Sequence, residues 1–372
     1  MNNLTEQQRS LWLSFAKLPC EKIAPLLLEH GSTEWLEEAF FHRSPELMEN
    51  LTPGEWEQLR FFHDAGRLDP VLSYIKNSSI QVTDLCSERF PDRLKTIPDP
   101  PLALFFLGNV EALSSRSLAV VGSRRASEYG RRFTEKIAQA LSEAGITIIS
   151  GFAYGIDSAA HLGCLKGRSP TIAVLGCGLD ILYPAGNEPL KNRMLKQGGL
   201  LISEYLPGEK PLSHHFPYRN RIISGLSDAV VVMEARIRSG TMRTVDHALS
   251  QGRDVFVFPG LPDSDLFSAN HALLRDGGRF FTCARDILED MNWLDNSQNV
   301  GQNNVCSSDG HNLSDDERRI LRALNPEPLS FDQLALRTDI EPQDLLGRLT
   351  VMQVRGLIAS LPGKRYEGKI RI

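Results

Sequence analysis

Hydrophobic residues in the first 80 positions recur at the three- and four-residue spacing of amphipathic helices. His30-Gly31-Ser32 interrupts this pattern as a helix end followed by a new cap, because glycine favours the position after a helix and serine the position before one. We therefore predict a small helical domain over residues 1–80. The apolar positions that carry the pattern are Leu11, Phe15, Leu18, Ile23, Leu26, Leu27, Trp35, Leu36 and Phe40.

From Leu118 onward, short apolar runs alternate with helical stretches such as 127–144, after which Gly145 is expected to end the helix. Continuous apolar runs indicate strands buried on both faces, as in a parallel sheet. We predict an α/β fold with a doubly wound, mostly parallel sheet over residues 81–292. The predicted strands are Leu118–Val121, Ile146–Ser150, Thr171–Leu175, Leu200–Glu204, Ala229–Met233 and Val255–Phe258.

The last part of the chain changes composition again. Residues 293–314 are rich in Asn, Ser, Gln and Gly, which is typical of a flexible linker. Helical patterns follow at 315–324, 331–337 and 342–355, and two strands at 357–361 and 364–372 with Pro362-Gly363 at their turn. Residues 315–372 are therefore predicted to form a winged-helix module.

The composition narrows the range of possible functions. The net charge of −5 argues against a uniformly basic nucleic-acid coat but permits a local basic groove. No apolar run is long enough for a membrane span, and the start of the chain lacks the pattern of a signal peptide, so we expect a cytoplasmic protein without a membrane partner. The six scattered cysteines form no metal-binding or disulfide pattern.

The most informative segment is FPYRNRIISGLS (216–227). Arg219 and Arg221 stand beside Asn220 where the chain is about to be buried, so their charges need anionic partners. A phosphate suits the guanidinium fork, but acidic residues inside the fold would also satisfy it. Phe216 offers an apolar ring face on which a base could stack.

Two strand ends extend this candidate site, because ligands of doubly wound sheets bind beyond the carboxyl ends of the strands. The first predicted strand ends in Gly122-Ser123-Arg124-Arg125 just before a helix, whose N-terminus could add to an anion site. After the fifth predicted strand, Ser239-Gly240-Thr241 stands at the start of a helix. The alternative interpretation is a tight turn with its arginines in solvent. In the second strand end, Asp157 is interpreted as a helix cap.

Familiar catalytic signatures are missing from the sequence. It contains no GxGxxG, GxxxxGK[ST], GxSxG or HExxH, and its histidines show no metal-ligand spacing. Glycines, hydroxyls and arginines describe a cleft that binds phosphate rather than a reaction centre. We therefore expect a protein that is not an enzyme and has neither cofactor nor metal.

Seven collinear blocks resemble the DNA-processing protein A family (DprA, also called Smf). The blocks are VGSRRASEYG (121–130), ISGFAYGIDSAAH (149–161), AVLGCGLDILYPAGN (173–187), GGLLISEYLPG (198–208), FPYRNRIISGLS (216–227), VVVMEARIRSGTMRTVDHAL (230–249) and GRDVFVFPG (252–260). The resemblance implies a Rossmann-like domain that binds single-stranded DNA without hydrolysing it, protects incoming strands in natural transformation and loads RecA. It also implies a homodimer through that domain, an N-terminal domain of sterile-alpha-motif or helix-hairpin-helix type, and a C-terminal winged helix.

The family's binding pocket, carried over to this chain, comprises Ser123, Arg124, Phe216, Arg219, Asn220 and Arg221. Many members place a lysine shortly before the phenylalanine, where this chain has Ser213-His214-His215, so we add His214 as a pH-dependent cation. The full predicted DNA-binding set is Gly122, Ser123, Arg124, Arg125, His214, Phe216, Arg219, Asn220, Arg221, Ser239, Gly240 and Thr241.

One alternative function stays open, an enzyme that processes a nucleotide or ribose phosphate in the same cleft. The phosphoribohydrolases of similar fold carry a GGxGTxxE signature. Here Gly240-Thr241 is followed by Met242-Arg243-Thr244, without the glutamate, which favours binding over catalysis.

Overall fold

The computed structural model describes residues 4–294, 314–324, 328–354, 357–361 and 365–368. The chain divides into two compact units, Met1–Met291 and Asn292–Ile372. The predicted linker lies outside the described residues, apart from its first two positions and its last.

The N-terminal part is helical, as predicted. Capping boxes begin two of its helices: the Thr5 hydroxyl accepts from the Gln8 amide, and the Thr52 hydroxyl accepts from the Glu55 amide. Gly31, with φ of +67°, ends the second helix, and Ser32 caps the third. The helices are α1 (Glu6–Ala16), α2 (Cys20–His30), α3 (Thr33–Phe41), α4 (Pro45–Asn50), α5 (Pro53–Phe62) and α6 (Ala65–Asn77).

These helices share one hydrophobic core with the sheet that follows them. Trp12 is fully buried, and its indole N–H donates to the Leu59 carbonyl at 2.8 Å. The α1 helix also contacts the first two strands of the sheet. The proposed domain boundary at residue 80 therefore stays a prediction.

The first unit contains a nine-stranded sheet with the order β1-β2-β6-β5-β4-β3-β7-β8-β9. All six predicted strands are present, each bound shifted by at most one residue. Strands β1, β2 and β9 were not predicted. The strands are β1 (Gln81–Asp84), β2 (Ala103–Gly108), β3 (Ser117–Val121), β4 (Thr147–Ser150), β5 (Thr171–Val174), β6 (Leu200–Ser203), β7 (Ala229–Val232), β8 (Asp254–Val257) and β9 (Arg279–Phe280).

Strands β3 to β9 pair in parallel, whereas β1 and β2 add to the β6 side in antiparallel pairings. The chain winds outward from β3 through β4 and β5 to β6, then returns to place β7 on the other side of β3. The sheet therefore has a topological switch point between β3 and β7, where doubly wound folds bind ligands.

The helices of this sheet region follow the strands in the doubly wound pattern, with α8 packed against α9 and α11 against α12. Ser127 caps α8, and Gly145 follows its end with φ of +86°, as predicted. The helices are α7 (Asp92–Lys95), α8 (Glu128–Glu143), α9 (Ile156–Cys164), α10 (Glu188–Lys196), α11 (His215–Leu226), α12 (Gly240–Ser250), α13 (Ser268–Arg275) and α14 (Ala284–Asp290).

The second unit has the winged-helix elements that the sequence predicts. Its core includes Ile320, Leu334, Leu345, Met352 and Leu357, all buried. The elements are α15 (Asp315–Leu324), β10 (Leu329–Ser330), α16 (Phe331–Thr338), α17 (Pro342–Val354), β11 (Ile358–Leu361) and β12 (Arg365–Gly368), with sheet order β10-β12-β11. The predicted Pro362-Gly363 turn and the end of the second wing strand lie outside the described residues.

No helix within the described ranges is long and apolar enough to cross a membrane. Over the same ranges, no group of three His, Cys, Asp or Glu side chains is arranged to hold a metal ion. Five of the six cysteines are described, and all five are free thiols.

Candidate nucleic-acid interface

A cleft of about 460 Å³ opens at the switch point of the sheet. The ends of β3 and β7 and one face of α11 form its walls, which is the position that the fold predicts for a ligand. Ten of the twelve predicted DNA-binding residues line it: Gly122, Ser123, Arg124, Arg125, Phe216, Arg219, Asn220, Ser239, Gly240 and Thr241.

The turn after β3 is held rigidly against two neighbouring strand ends. The Ser123 amide donates to the Glu234 carbonyl at 2.7 Å, and the Ile156 amide donates to the Ser123 carbonyl at 3.1 Å. Gly155 allows this approach, since its φ is +83° and a Cβ there would lie 2.2 Å from the Ser123 carbonyl oxygen. Arg124 and Arg125 consequently project from a fixed backbone into solvent.

Arg124 is the exposed arginine of the cleft that lies beside an aromatic ring. Its guanidinium carbon lies 5.0 Å from the centre of the Phe216 ring, within the range of a cation–π contact. Among the side chains that the structure describes, no acidic group lies within ion-pair distance of Arg124 or Arg125. An anion that enters the cleft therefore meets guanidinium groups that form no ion pair with a described carboxylate.

The N-terminus of α8 does not contribute to this site, contrary to the sequence prediction. The buried Glu234 carboxylate accepts hydrogen bonds from the Ser127 amide and the Ser127 hydroxyl. A carboxylate at this position already satisfies the positive end of the helix dipole. The Glu234 carboxylate therefore already occupies the position at which a phosphate would bind this end of α8.

The N-terminus of α12 is open instead. Ser239 precedes the helix without making a side-chain cap, and its buried hydroxyl has no hydrogen-bond partner among the described residues. Apart from the chain neighbours of Gly240 and the backbone of its own helix, no described atom lies within 4 Å of the position that a Cβ on Gly240 would occupy. This helix end therefore offers backbone N–H groups to an anion, as expected from Ser239-Gly240-Thr241.

Arg219 forms the floor of the cleft. Its side chain is buried, and its Nη1 donates to the Gly151 carbonyl at 2.9 Å and to the Val174 carbonyl. Its Nε has no partner among the described residues. Burial lowers the pKa of Arg219 to about 10, so the guanidinium stays charged at neutral pH.

Asp157 lies next to this floor and is not the helix cap that the sequence suggested. It is the second residue of α9, and its Oδ2 accepts from the Ala153 amide at 3.2 Å. Burial raises the pKa of this carboxyl, and the Arg219 charge opposes the increase. Arg219 and Asp157 therefore both hold the turn after β4, the first through the Gly151 carbonyl and the second through the Ala153 amide.

The structure corrects the prediction for Arg221. Its side chain is only 2% exposed and forms a bidentate ion pair with Glu204, at 2.8 and 2.6 Å, and a second ion pair with Asp99 at 3.1 Å. Positions two apart on a helix point roughly 200° from each other, so Arg219 and Arg221 lie on opposite faces of α11. Internal carboxylates, the alternative stated above, are the partners of Arg221.

His214 is also displaced from the cleft. It lines a separate cavity of about 280 Å³ beside Lys17, Tyr205 and Glu209. The prediction rested on the lysine that many family members place shortly before the phenylalanine, but His214 immediately precedes α11 and is absent from the lining of the cleft. The pH-dependent cation predicted at this position is therefore not part of the cleft.

The cleft has one cation that the sequence interpretation missed. Arg236 lines it and forms an exposed ion pair with Asp265 at 3.1 Å. Arg236 follows β7 by a few residues, so the strand-end rule that selected Arg124 also applies to it.

His161 is fully buried, with its ring centre 6.0 Å from that of Phe152 in the turn after β4, and this burial gives a pH prediction. Burial lowers its pKa to about 3 from the ordinary 6.5, and its Nδ1 lies 2.7 Å from the Thr171 hydroxyl. Below pH 6.5, His161 becomes protonated in the unfolded chain but stays neutral in the folded chain. The stabilisation is therefore complete above that pH and falls toward the folded-state pKa, by at most about 1.4 kcal/mol per pH unit.

We expect the urea midpoint of the protein to decrease from about pH 6.5 to about pH 5, and this decrease to be smaller in a His161→Gln variant. Equal pH dependence in the two proteins would contradict a neutral buried His161.

Together, the fold and the cleft define a Rossmann-like α/β protein with an arginine-lined site at its topological switch point. The family model described as DNA recombination-mediator protein A matches residues 81–292, and the DprA winged helix domain matches residues 308–364. The chain belongs to this DprA/Smf family of DNA-processing proteins.

Individual relatives agree with this assignment. The DNA processing protein DprA of Streptococcus pneumoniae is 43% identical over 213 residues, which are 57% of this chain and 74% of the relative. An X-ray structure of that organism's DprA has a TM-score of 0.67 at 34% identity and covers 78% of this chain and 99% of its own. DNA processing protein A of Helicobacter pylori, whose structure is described for its single-stranded DNA binding mode, has a TM-score of 0.51 at 28% identity and covers 57% of this chain and 95% of its own.

Proposed function

We propose that this protein binds single-stranded DNA, without hydrolysing it, in the cleft between β3 and β7. The observation that carries the proposal is the pairing of Arg124 with Phe216. An exposed guanidinium without an internal carboxylate partner lies 5.0 Å from a half-buried aromatic ring. One side chain suits a phosphate and the other suits the adjacent base.

The remaining parts of the cleft favour a polynucleotide backbone. Arg125 and Arg236 add cations at the rim, and the start of α12 adds backbone N–H groups. Such contacts follow phosphates and carry no sequence information. Since every base has a face that can stack on Phe216, binding should tolerate any sequence.

Single strands suit this arrangement better than duplex DNA. In a duplex each base is already stacked between its neighbours, so a ring at the wall of a cleft cannot reach a base face without unstacking it. A single strand presents its bases freely. Family membership and the description of the Helicobacter pylori relative support the same choice.

The enzymatic alternative has less support. Among the described residues that line the cleft, Asp157 is the one carboxylate, and it is buried and engaged with the Ala153 amide. Histidine, lysine, cysteine and tyrosine can also act as general bases, and the described lining of the cleft contains none of them. We therefore propose binding without catalysis.

The test compares matched single-stranded and duplex oligonucleotides in a mobility-shift assay over a salt series. We expect tighter binding of the single strand and a decrease in log K of about 0.7 per log unit of salt for each phosphate contact. Equal affinity for the duplex, or affinity independent of salt, would overturn the proposal.

We also propose that the protein acts in natural transformation as a homodimer that protects incoming strands and promotes RecA loading. Family membership supports this role. A subunit offers few arginines to a strand, so two linked clefts would gain affinity through effective concentration. Edge strand β9 carries an exposed Phe280 that could contribute to pairing through the Rossmann-like domain.

RecA filament growth on single strands coated with a single-strand-binding protein tests this role. We expect the protein to accelerate growth in its dimeric form. No acceleration by a dimeric preparation that binds DNA would remove the loading role and leave strand binding intact.

A further inference from the structure

Two exposed tyrosines lie at the carboxyl edge of the sheet, in the segments that follow β4 and β5. Tyr183 follows β5 and is 43% exposed, and Tyr154 follows β4 and is 51% exposed. Neither lines the arginine cleft. About half of each ring stays in contact with water, so burial alone does not explain their positions.

Both tyrosines are fixed by neighbours of the cleft. The Tyr183 ring centre lies 5.3 Å from that of Phe216, with the planes inclined at 40°. The Tyr154 hydroxyl accepts from the Gly186 amide at 3.2 Å. A Cβ on Gly186 would lie 2.7 Å from that hydroxyl, so the segment that follows Tyr183 packs closely on Tyr154.

The two tyrosines follow strands on the side of β3 that faces away from β7. Arg124 stands at the end of β3, and β4 and β5 follow next in the sheet. Phe216 reaches across to β5, because its Cδ1 lies 3.1 Å from the position of a Cβ on Gly176. The three rings therefore lie at one edge of the sheet, over the ends of β4 and β5, and Phe216 joins them to Arg124.

We infer that Tyr183 and Tyr154 are further base-stacking positions, which carry the nucleotides that leave the arginine cleft. This inference rests on the proposed function and extends the bound strand from the end of β3 to the ends of β4 and β5. The bases stack on the outer faces of the rings. Insertion of a base between Tyr183 and Phe216 would need about twice the minimum ring spacing of roughly 4.5 Å, more than their separation allows.

The experiment measures binding of a short oligothymidylate and of an oligonucleotide of equal length without bases. Tyr183→Leu and Tyr154→Leu in the full chain should each weaken binding of the oligothymidylate roughly 5- to 150-fold. On the abasic strand, the same variants should differ from the unsubstituted protein by no more than about twofold, because no base is present to stack.

Three controls separate stacking from other effects. Tyr183→Phe and Tyr154→Phe keep the ring and should bind oligothymidylate as the unsubstituted protein does, whereas Tyr74→Leu removes a ring of similar exposure, 44%, from α6 and should change nothing. Unchanged melting temperatures show that the Leu variants are folded; if one is not, the Phe variants and the abasic comparison of the other still decide the question.

The outcomes distinguish this inference from the proposed function. If the unsubstituted protein fails to bind oligothymidylate, the proposed function itself is wrong. If it binds, but the Leu variants bind it equally well or lose the same factor on both strands, the tyrosines are not base platforms and the inference is overturned.

Discussion

Replacement of Arg221 with alanine is expected to lower the free energy of unfolding by about 3–5 kcal/mol, because it leaves the buried carboxylate of Glu204 without its partner. The Arg221 side chain is 2% exposed and that of Glu204 10%, so solvent screens the pair very little. The same pair fixes α11, the helix that carries Phe216 and Arg219, against β6. Loss of the pair should therefore lower the stability of the protein, and it should not remove a direct contact with DNA.

Urea denaturation followed by circular dichroism measures this loss. Arg125→Ala is the matched control, since it removes an exposed arginine and should leave the midpoint unchanged. An Arg221→Met, Glu204→Leu double variant should recover much of the stability, because it removes both charges and keeps the volume. An Arg221→Ala protein that keeps its stability but loses DNA binding would restore the phosphate-binding hypothesis for Arg221.

The strands of the sheet could be predicted because each central strand is a continuous apolar run. Leu118–Val121 and Ala229–Val232 are buried on both faces, and their neighbours pair with them in parallel. The three strands that were missed lie at or near the edges. Strand β9 comprises only Arg279 and Phe280, both exposed, so it has no hydrophobic pattern to detect.

The site was predictable where a rule of fold geometry connects sequence to space. Gly122 to Arg125 and Ser239 to Thr241 follow parallel strands, whose carboxyl ends meet at one edge of the sheet. The rule locates strand ends but not the direction of side chains on the helix between them. Arg221 was carried over from the family pattern and His214 was added in place of the lysine common there, and the structure places both outside the cleft.

Long-range partners could not be predicted at all. Glu234 occupies the N-terminus of α8 from a position 107 residues further along the chain. No local pattern near Ser127 indicates that this helix end is already neutralised. Arg221 presents the same difficulty, because Asp99 lies 122 residues before it and belongs to a Pro-rich segment without a detectable pattern of its own.

Arg124 should show the opposite behaviour to Arg221. We expect Arg124→Ala to weaken binding of single-stranded DNA roughly 10- to 150-fold, the usual range for a lost hydrogen bond to a charged group. The dependence of log K on log salt should also become shallower by about 0.7, since one phosphate contact is lost. Stability should be unchanged, because the exposed guanidinium has no ion-pair partner among the described side chains.

The measurement for Arg124 is the salt series in the mobility-shift assay, with a urea midpoint for each variant. Arg132→Ala is the matched control, since Arg132 is exposed on α8, outside the cleft lining. Arg124→Lys should retain the salt slope and recover part of the affinity, because a lysine keeps the charge but lacks the guanidinium fork. If Arg124→Ala and Arg132→Ala weaken binding equally, general surface charge rather than the cleft holds the strand, and the site between β3 and β7 is wrongly placed.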